Sequence, residues 1–570
     1  MKNIIIVTGG NGTRVADALV RLLAIGFPTR MQGNLPTSAS DELEIWRIDP
    51  DRSAGALTVL NETLRRYRQI QHLMQDGNGE PPPLDAQPLA ASPWAMTVNT
   101  KVRDFDPLAL PGFDKPISTL RELLGQFPGK KDGTPLLHAF YEDKDLDVKI
   151  NRGFYQKPFI GSPVIAAFAA SLMDRNSPAG SQIDFNTLKQ TQVRFFICGS
   201  VYGGTGACAL PVIGQFLARE RQRSNLNWSI GGCLLMPYFL PPPPPFSPLP
   251  EDRQSDARYV NEEARRMAQQ FATHEAFAVL NEEERVALAR QVLTGFYADP
   301  QDLTLRSRHS LVYYRDILAP TFDELYLIGK AQPDALQRWS NGGETQRNPL
   351  NATEVAAAIT ALNYFAGNRV GSGQSYSLAS GAKDMSPSVL RLADLPVYMV
   401  GGQPVDAEKV FLSTAVLVHL LQYQIEWDAD ARGWSDDPGG LRHLYQLDPA
   451  RQERDRMAYR LALDLIREIM EDMVSPDHRT MGWSPDIRAD LDKLIAPGVE
   501  SAVIERMKRR TRLFGLAADN APQEALRFGR VKVELTSFDF YGWTPPPEFR
   551  RGDYARLVWA NVFARTGAAS

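Results

Sequence analysis

The sequence predicts an α/β chain on a mostly parallel sheet, with its functional turns at the carboxyl ends of the strands. Three stretches predict it. Val193 to Cys198 has the length and composition of a buried strand. It is followed by a glycine-rich turn, Gly199 to Gly206, and a helical pattern with Leu210, Ile213, Phe216 and Leu217 on one face. Ile4 to Val7 opens the chain in the same way: an apolar run, then Thr8-Gly9-Gly10-Asn11-Gly12-Thr13, then a helix over about Arg14 to Ala24 with Val15, Leu19, Leu22 and Leu23 inward. A third run, Leu43 to Ile48, ends in Asp49-Pro50-Asp51 and leads to a helix over Leu57 to Leu73.

Strand, glycine turn and helix make a place for an anion. Glycines let the backbone approach closely, and the free amides of a helix start point at the ligand with the positive end of the helix dipole. The Thr205 hydroxyl adds a donor. The alternative is a tight strand-to-helix turn with no ligand. No Lys-Ser or Lys-Thr pair follows the last glycine, so the Walker pattern is absent. The run also lies too far into the chain, with the wrong spacing, for the dinucleotide fingerprint, which weighs against a dinucleotide-dependent enzyme.

Gly203-Gly204-Thr205-Gly206-Ala207 resembles the signature loop of the tubulin/FtsZ superfamily, a run of the form Gly-Gly-Gly-Thr-Gly-Ser/Thr-Gly that grips the phosphates of GTP. Tyr202 stands where the first glycine would be, and Cys208 replaces the last. The resemblance covers about two-thirds of the chain. It implies a doubly wound, mostly parallel sheet, a central helix and, departing from the family, a largely helical second domain. By resemblance the nucleotide contacts are Gly9, Gly10, Asn11 and Gly12 in the first loop, and Gly199, Gly203, Gly204, Thr205 and Gly206 in the second. The implied cofactors are GTP or GDP, with ATP left open, and Mg²⁺. Asp49 and Asp51 are the magnesium candidates, since carboxylates at a strand's end hold the ion through water; the other reading is that they cap a turn. Arg152 and Lys157 fall where the family has a phosphate-sensing loop, or are simply solvated.

Further along, Asn227 to Met236 is a strand candidate, leading to the stiff run Pro241 to Pro245. Asp252 to Leu293 is charged and helical, an insertion spanning about residues 237–300. Phe322 to Gly329 is a late strand. Asn348-Pro349-Leu350-Asn351-Ala352-Thr353-Glu354 opens a helix with Val355, Ile359, Leu362 and Phe365 inward. At least one of the two asparagines is expected to be its cap. By resemblance this is the central helix, where Asn351 would read the base, since an amide both donates and accepts. The expected division is 1–347 for the nucleotide domain, 348–366 for the central helix and 367–570 for the second domain. In the last part Asp406 to Tyr423 and Arg451 to Met473 are expected helices, Val531 to Leu535 a strand and Asp553 to Phe563 a final helix.

The formal charge of −4 is spread evenly over 570 residues, which gives no electrostatic footprint for nucleic acid. No apolar run is long enough to span a bilayer, and no signal-peptide pattern opens the sequence, so a cytoplasmic protein is expected. Cys198, Cys208 and Cys233 sit in apolar contexts and are expected to be buried thiols. Two functions follow from the resemblance. One is a GTPase that self-associates head to tail, with hydrolysis at the subunit interface. The other is a non-polymerising nucleotide switch or scaffold for a protein partner, in bacterial defence or signalling. The family's acidic Asn-x-Asp-x-x-Asp/Glu run is missing after Phe365; Asp384 and Asp394 are the nearest acids in loop-like context, and Asp394 is the candidate for a catalytic role.

Overall fold

The computed structural model describes, apart from short gaps, residues 2–75, 101–125, 139–295, 320–329 and 350–367, the helix Pro449–Met473 and a few short pieces. Six parallel strands form the sheet: β1 (Lys2–Thr8), β2 (Glu42–Ile48), β3 (Lys101–Phe105), β4 (Val193–Ser200), β5 (Trp228–Leu235) and β6 (Glu324–Ile328). Their spatial order is β3-β2-β1-β4-β5-β6, and each neighbouring pair is parallel. A seventh, two-residue strand, Leu89–Ala90, pairs antiparallel with the start of β2. The order reverses between β1 and β4, which is the doubly wound arrangement that opens a ligand crevice at the carboxyl ends of those two strands.

Burial explains why the strands were recognisable. Ile4, Ile5, Ile6, Val7, Phe195, Phe196 and Ile197 are all fully buried, as expected of strands covered on both faces. Helix α1 (Gly9–Ala24) packs with α2 (Gly55–Met74), while α3 (Pro158–Ser171) packs against α4 (Gly204–Arg223). Between β5 and β6, α5 (Ala257–Thr273) and α6 (Glu282–Leu293) form a hairpin with its own small core, including Val260, Phe271, Phe277, Leu288 and Val292. Both helices fall within residues 252–293, the charged stretch expected to be helical.

The expected central helix is α7 (Ala352–Phe365). It packs on α1 and against β4, β5 and β6. The charged helix α8 (Pro449–Met473) lies on α1 and α2, and its Tyr459, Leu463, Ile466 and Ile469 belong to the same core as the sheet. Ion pairs reinforce the seam: Arg66 meets Asp472 at 2.5 Å, and Arg21, held by Asp17 within α1, reaches Asp472 at 3.5 Å. The expected helices at 406–423 and 553–563, the strand at 531–535, and Asp384 and Asp394 lie outside the described residues.

Two boundaries differ from expectation. The helix expected from Arg14 begins at Gly9, and the turn expected over Gly199 to Gly206 shrinks to residues 201–203 between β4 and α4. Gly9 explains the first: its φ of +70° turns the chain out of β1 in one residue, a conformation that side chains with a Cβ rarely adopt. Tight packing explains the second. A Cβ on Gly206 would lie 2.6 Å from the Ser200 amide nitrogen, and one on Gly199 would lie 2.4 Å from Thr8 Oγ1.

Candidate functional site

The starts of α1 and α4 stand side by side because their strands do. Val7 of β1 is in register with Cys198 of β4, and the Thr8 hydroxyl donates to the Cys198 carbonyl at 3.0 Å. The N-cap residues of the two helices, Thr8 and Gly203, make no side-chain cap. Neither N-cap side chain takes a first-turn amide, and helix starts of this kind at a sheet's reversal point can receive an anion.

The glycines divide by what surrounds them. Gly199 and Gly206 are packing residues, pressed on the ends of β1 and β4. A Cβ at Gly12 would meet the Cys198 carbonyl oxygen at 2.9 Å, so it too serves close packing. Gly10 is different: nothing lies within 4 Å of its Cβ position. Gly203 and Gly204 are partly exposed, as are Gly10 and Asn11. Thr205 sits between Gly9 and Gly153, since the Cβ positions of these glycines fall 3.2 Å from Thr205 Cβ and 3.9 Å from Thr205 Oγ1 respectively. Gly153 thus lies beside the second loop. Lys157 is turned to Asp145, at 3.3 Å.

Cys208 and Tyr202, the two departures from the signature, have structural roles. The Cys208 thiol donates to the Thr205 carbonyl at 3.3 Å, and it fills the space that a Cβ on Gly161 of α3 would need. All three cysteines are free and buried. The Tyr202 hydroxyl accepts from Asn11 Nδ2 at 3.0 Å, and its ring packs edge-on against Tyr238 and Phe239.

Asn351 is the N-cap of α7. Its Oδ1 accepts from the Thr353 amide at 2.9 Å, and its own amide donates to Glu354 Oε2 at 2.8 Å, a closed capping box. Glu354, which sequence reasoning passed over, is fully buried and has three further bonds. Arg14 grips both of its oxygens, at 2.5 and 2.9 Å, and the Tyr238 hydroxyl donates to Oε1 at 2.6 Å. Burial, and after it the Glu354 carboxylate, pushes the Tyr202 and Tyr238 hydroxyls well up, so both remain protonated.

Asp49 and Asp51 follow β2, both buried, and share their place with Arg47. Arg47 donates to Asp49 Oδ2 at 3.1 Å, to Asp104 Oδ1 at 2.8 Å and to the Asp51 carbonyl at 2.7 Å. Asp49 Oδ1 accepts the Asp51 amide at 3.2 Å. Burial pushes the Asp49 carboxyl up to about 6, against the pull of Arg47. Among the described residues no group of three or more His, Cys, Asp or Glu is placed to hold a metal ion. No described helix is long and apolar enough to cross a membrane.

No protein-family model matches the chain. No curated protein matches it either. Among solved structures, it aligns with the crystal structure of a GTPγS-form protofilament of Bacillus thuringiensis serovar israelensis TubZ. The alignment is 11% identical, with a TM-score of 0.15, and covers 53% of this chain and 60% of the TubZ chain. A TM-score that low bears on neither fold nor function.

Proposed function

We propose that the chain binds a nucleoside triphosphate, GTP by resemblance, across the reversal point between β1 and β4, as a tubulin/FtsZ-like protein. The observation that carries this reading is the pairing of two helix starts without side-chain caps, α1 at Gly9 and α4 at Gly204, over adjacent central strands, with Gly10 open in front. The amides of Gly9, Gly10, Asn11, Gly204 and Thr205 would hold the phosphates. Gly12, Gly199 and Gly206 let the strands and helices close behind them. By resemblance Asn351 would meet the base, while its Oδ1 is engaged as the cap of α7. Asp49 and Asp51 would reach Mg²⁺ through water, with Arg47 balancing their charge.

When bound, magnesium would supply charge neutralisation at the phosphates. The chain's own part is to bind and orient them. Head-to-tail self-association with hydrolysis at the interface belongs to the same reading. A non-polymerising switch serving a protein partner is the second, and the missing acidic run after Phe365 favours it. Chromatography of the denatured protein identifies a co-purified nucleotide, with guanine expected. Turnover and light scattering against protein concentration separate the two readings. Activity per chain that rises with concentration supports assembly; constant activity with no scattering supports the switch.

A further inference from the structure

Glu354 ties together the segments that border the proposed phosphate site. Its carboxylate has no exposure and accepts four hydrogen bonds: two from Arg14, one from Tyr238 and one from the Asn351 amide. Those donors come from α1, from the stretch after β5 and from the start of α7. Tyr238 extends the set, because its hydroxyl also lies 3.5 Å from Asn11 Oδ1, and Asn11 in turn donates to Tyr202 in the second loop. A carboxylate this buried persists only when its lone pairs are met by charge and hydrogen bonds, so these segments are held in one arrangement. Arg14 and Gly10 are four residues apart and lie on the same face of α1. Fixing Arg14 therefore fixes the rotation of the turn that carries Gly10 and Asn11.

We propose that Glu354 is a positioning residue for the phosphate site: through Arg14 and Tyr238 it sets the first turn of α1 and the Tyr202 loop at the spacing a triphosphate needs. The proposal rests on the nucleotide reading above and adds to it the device that keeps its two loops in register. It also explains why a tyrosine replaces the first glycine of the signature, since Tyr202 supplies the hydroxyl that links Asn11 to the second loop.

A merely structural ion pair would affect stability alone, so the test separates stability from binding. Replacing both charged partners with methionine, Arg14→Met with Glu354→Met, removes the buried pair without stranding either charge; the chain is expected to fold with some loss of stability, because the Tyr238 hydroxyl and the Asn351 amide lose their acceptor. Binding of a fluorescent GTPγS analogue with Mg²⁺ is expected to weaken at least tenfold, about 1.4 kcal/mol. In the nucleotide-free protein, hydrogen exchange at the amides of residues 9–14 is expected to speed up at least tenfold. Unchanged affinity or unchanged exchange in the folded double variant overturns the proposal. Should that variant fail to fold, Tyr238→Phe decides, since it keeps the ring and removes the hydroxyl between Glu354 and Asn11: a severalfold loss of affinity supports the proposal, and parent-like affinity refutes it. A parent chain that binds no analogue overturns both this proposal and the nucleotide reading, whereas a parent that binds beside an unaffected variant overturns this proposal alone.

Discussion

Replacing Gly10 with alanine separates the ligand's needs from the fold's. Gly10 is the second residue of α1, is not among the positive-φ glycines, and has open space where a Cβ would go. For the empty protein the change is benign. Alanine restricts the unfolded chain more than glycine does, so stability should rise by about 0.4–1 kcal/mol. For a bound phosphate the same methyl is an obstacle, because a helical Cβ tilts toward the helix N-terminus, the space where the anion would meet the amides. Affinity should fall at least tenfold, about 1.4 kcal/mol. Urea denaturation without ligand and titration with a fluorescent GTPγS analogue measure the two effects, which have opposite signs. A variant that is as stable as predicted but binds as tightly as the parent would refute the placement of the phosphates at the start of α1.

Gly206→Ala should behave in the opposite way, losing about 1–3 kcal/mol of stability because its Cβ would press on the backbone of Ser200, 2.6 Å from nitrogen and 3.0 Å from oxygen; a urea midpoint at or above the parent's would contradict this. Asp51→Asn should weaken the magnesium dependence of nucleotide binding while sparing the fold, since Arg47 holds this turn through the Asp51 carbonyl, which the change leaves in place; a magnesium titration that matches the parent's would exclude Asp51 from the metal site. Asp49, raised to about 6, takes up a proton more readily in the folded than in the unfolded chain. Its contribution to stability therefore falls as pH rises from about 4 to about 6, and Asp49→Asn should flatten the urea midpoint against pH across that window; an unchanged slope would contradict the assignment.

The central strands were legible because both of their faces are covered, leaving uninterrupted apolar runs such as Ile4-Ile5-Ile6-Val7. The helix starts were not. Glycine is a poor helix former, so Gly9 to Gly12 look like a loop, whereas Gly9 and Gly12, packed closely on their neighbours, are drawn into α1. Asn351 carried two signals at once, and the capping box with Glu354, three residues later, was available from spacing alone. The rest of the Glu354 set was out of reach, because Arg14 and Glu354 are 340 positions apart and meet only once α7 lies on α1. The one local hint was Tyr202 in a glycine's place. The docking of α8 into the main core was equally hidden, since its inward residues show only that it packs on something.

Equilibrium dialysis of the protein against labelled GTP and labelled ATP, each with Mg²⁺, tests the central claim most directly. Saturable binding of one GTP per chain, at least tenfold weaker in Gly10→Ala and weaker for ATP, is the predicted result. No saturable binding of either nucleotide by the folded protein would contradict it, and the paired helix starts would then be a packing solution for β1 and β4.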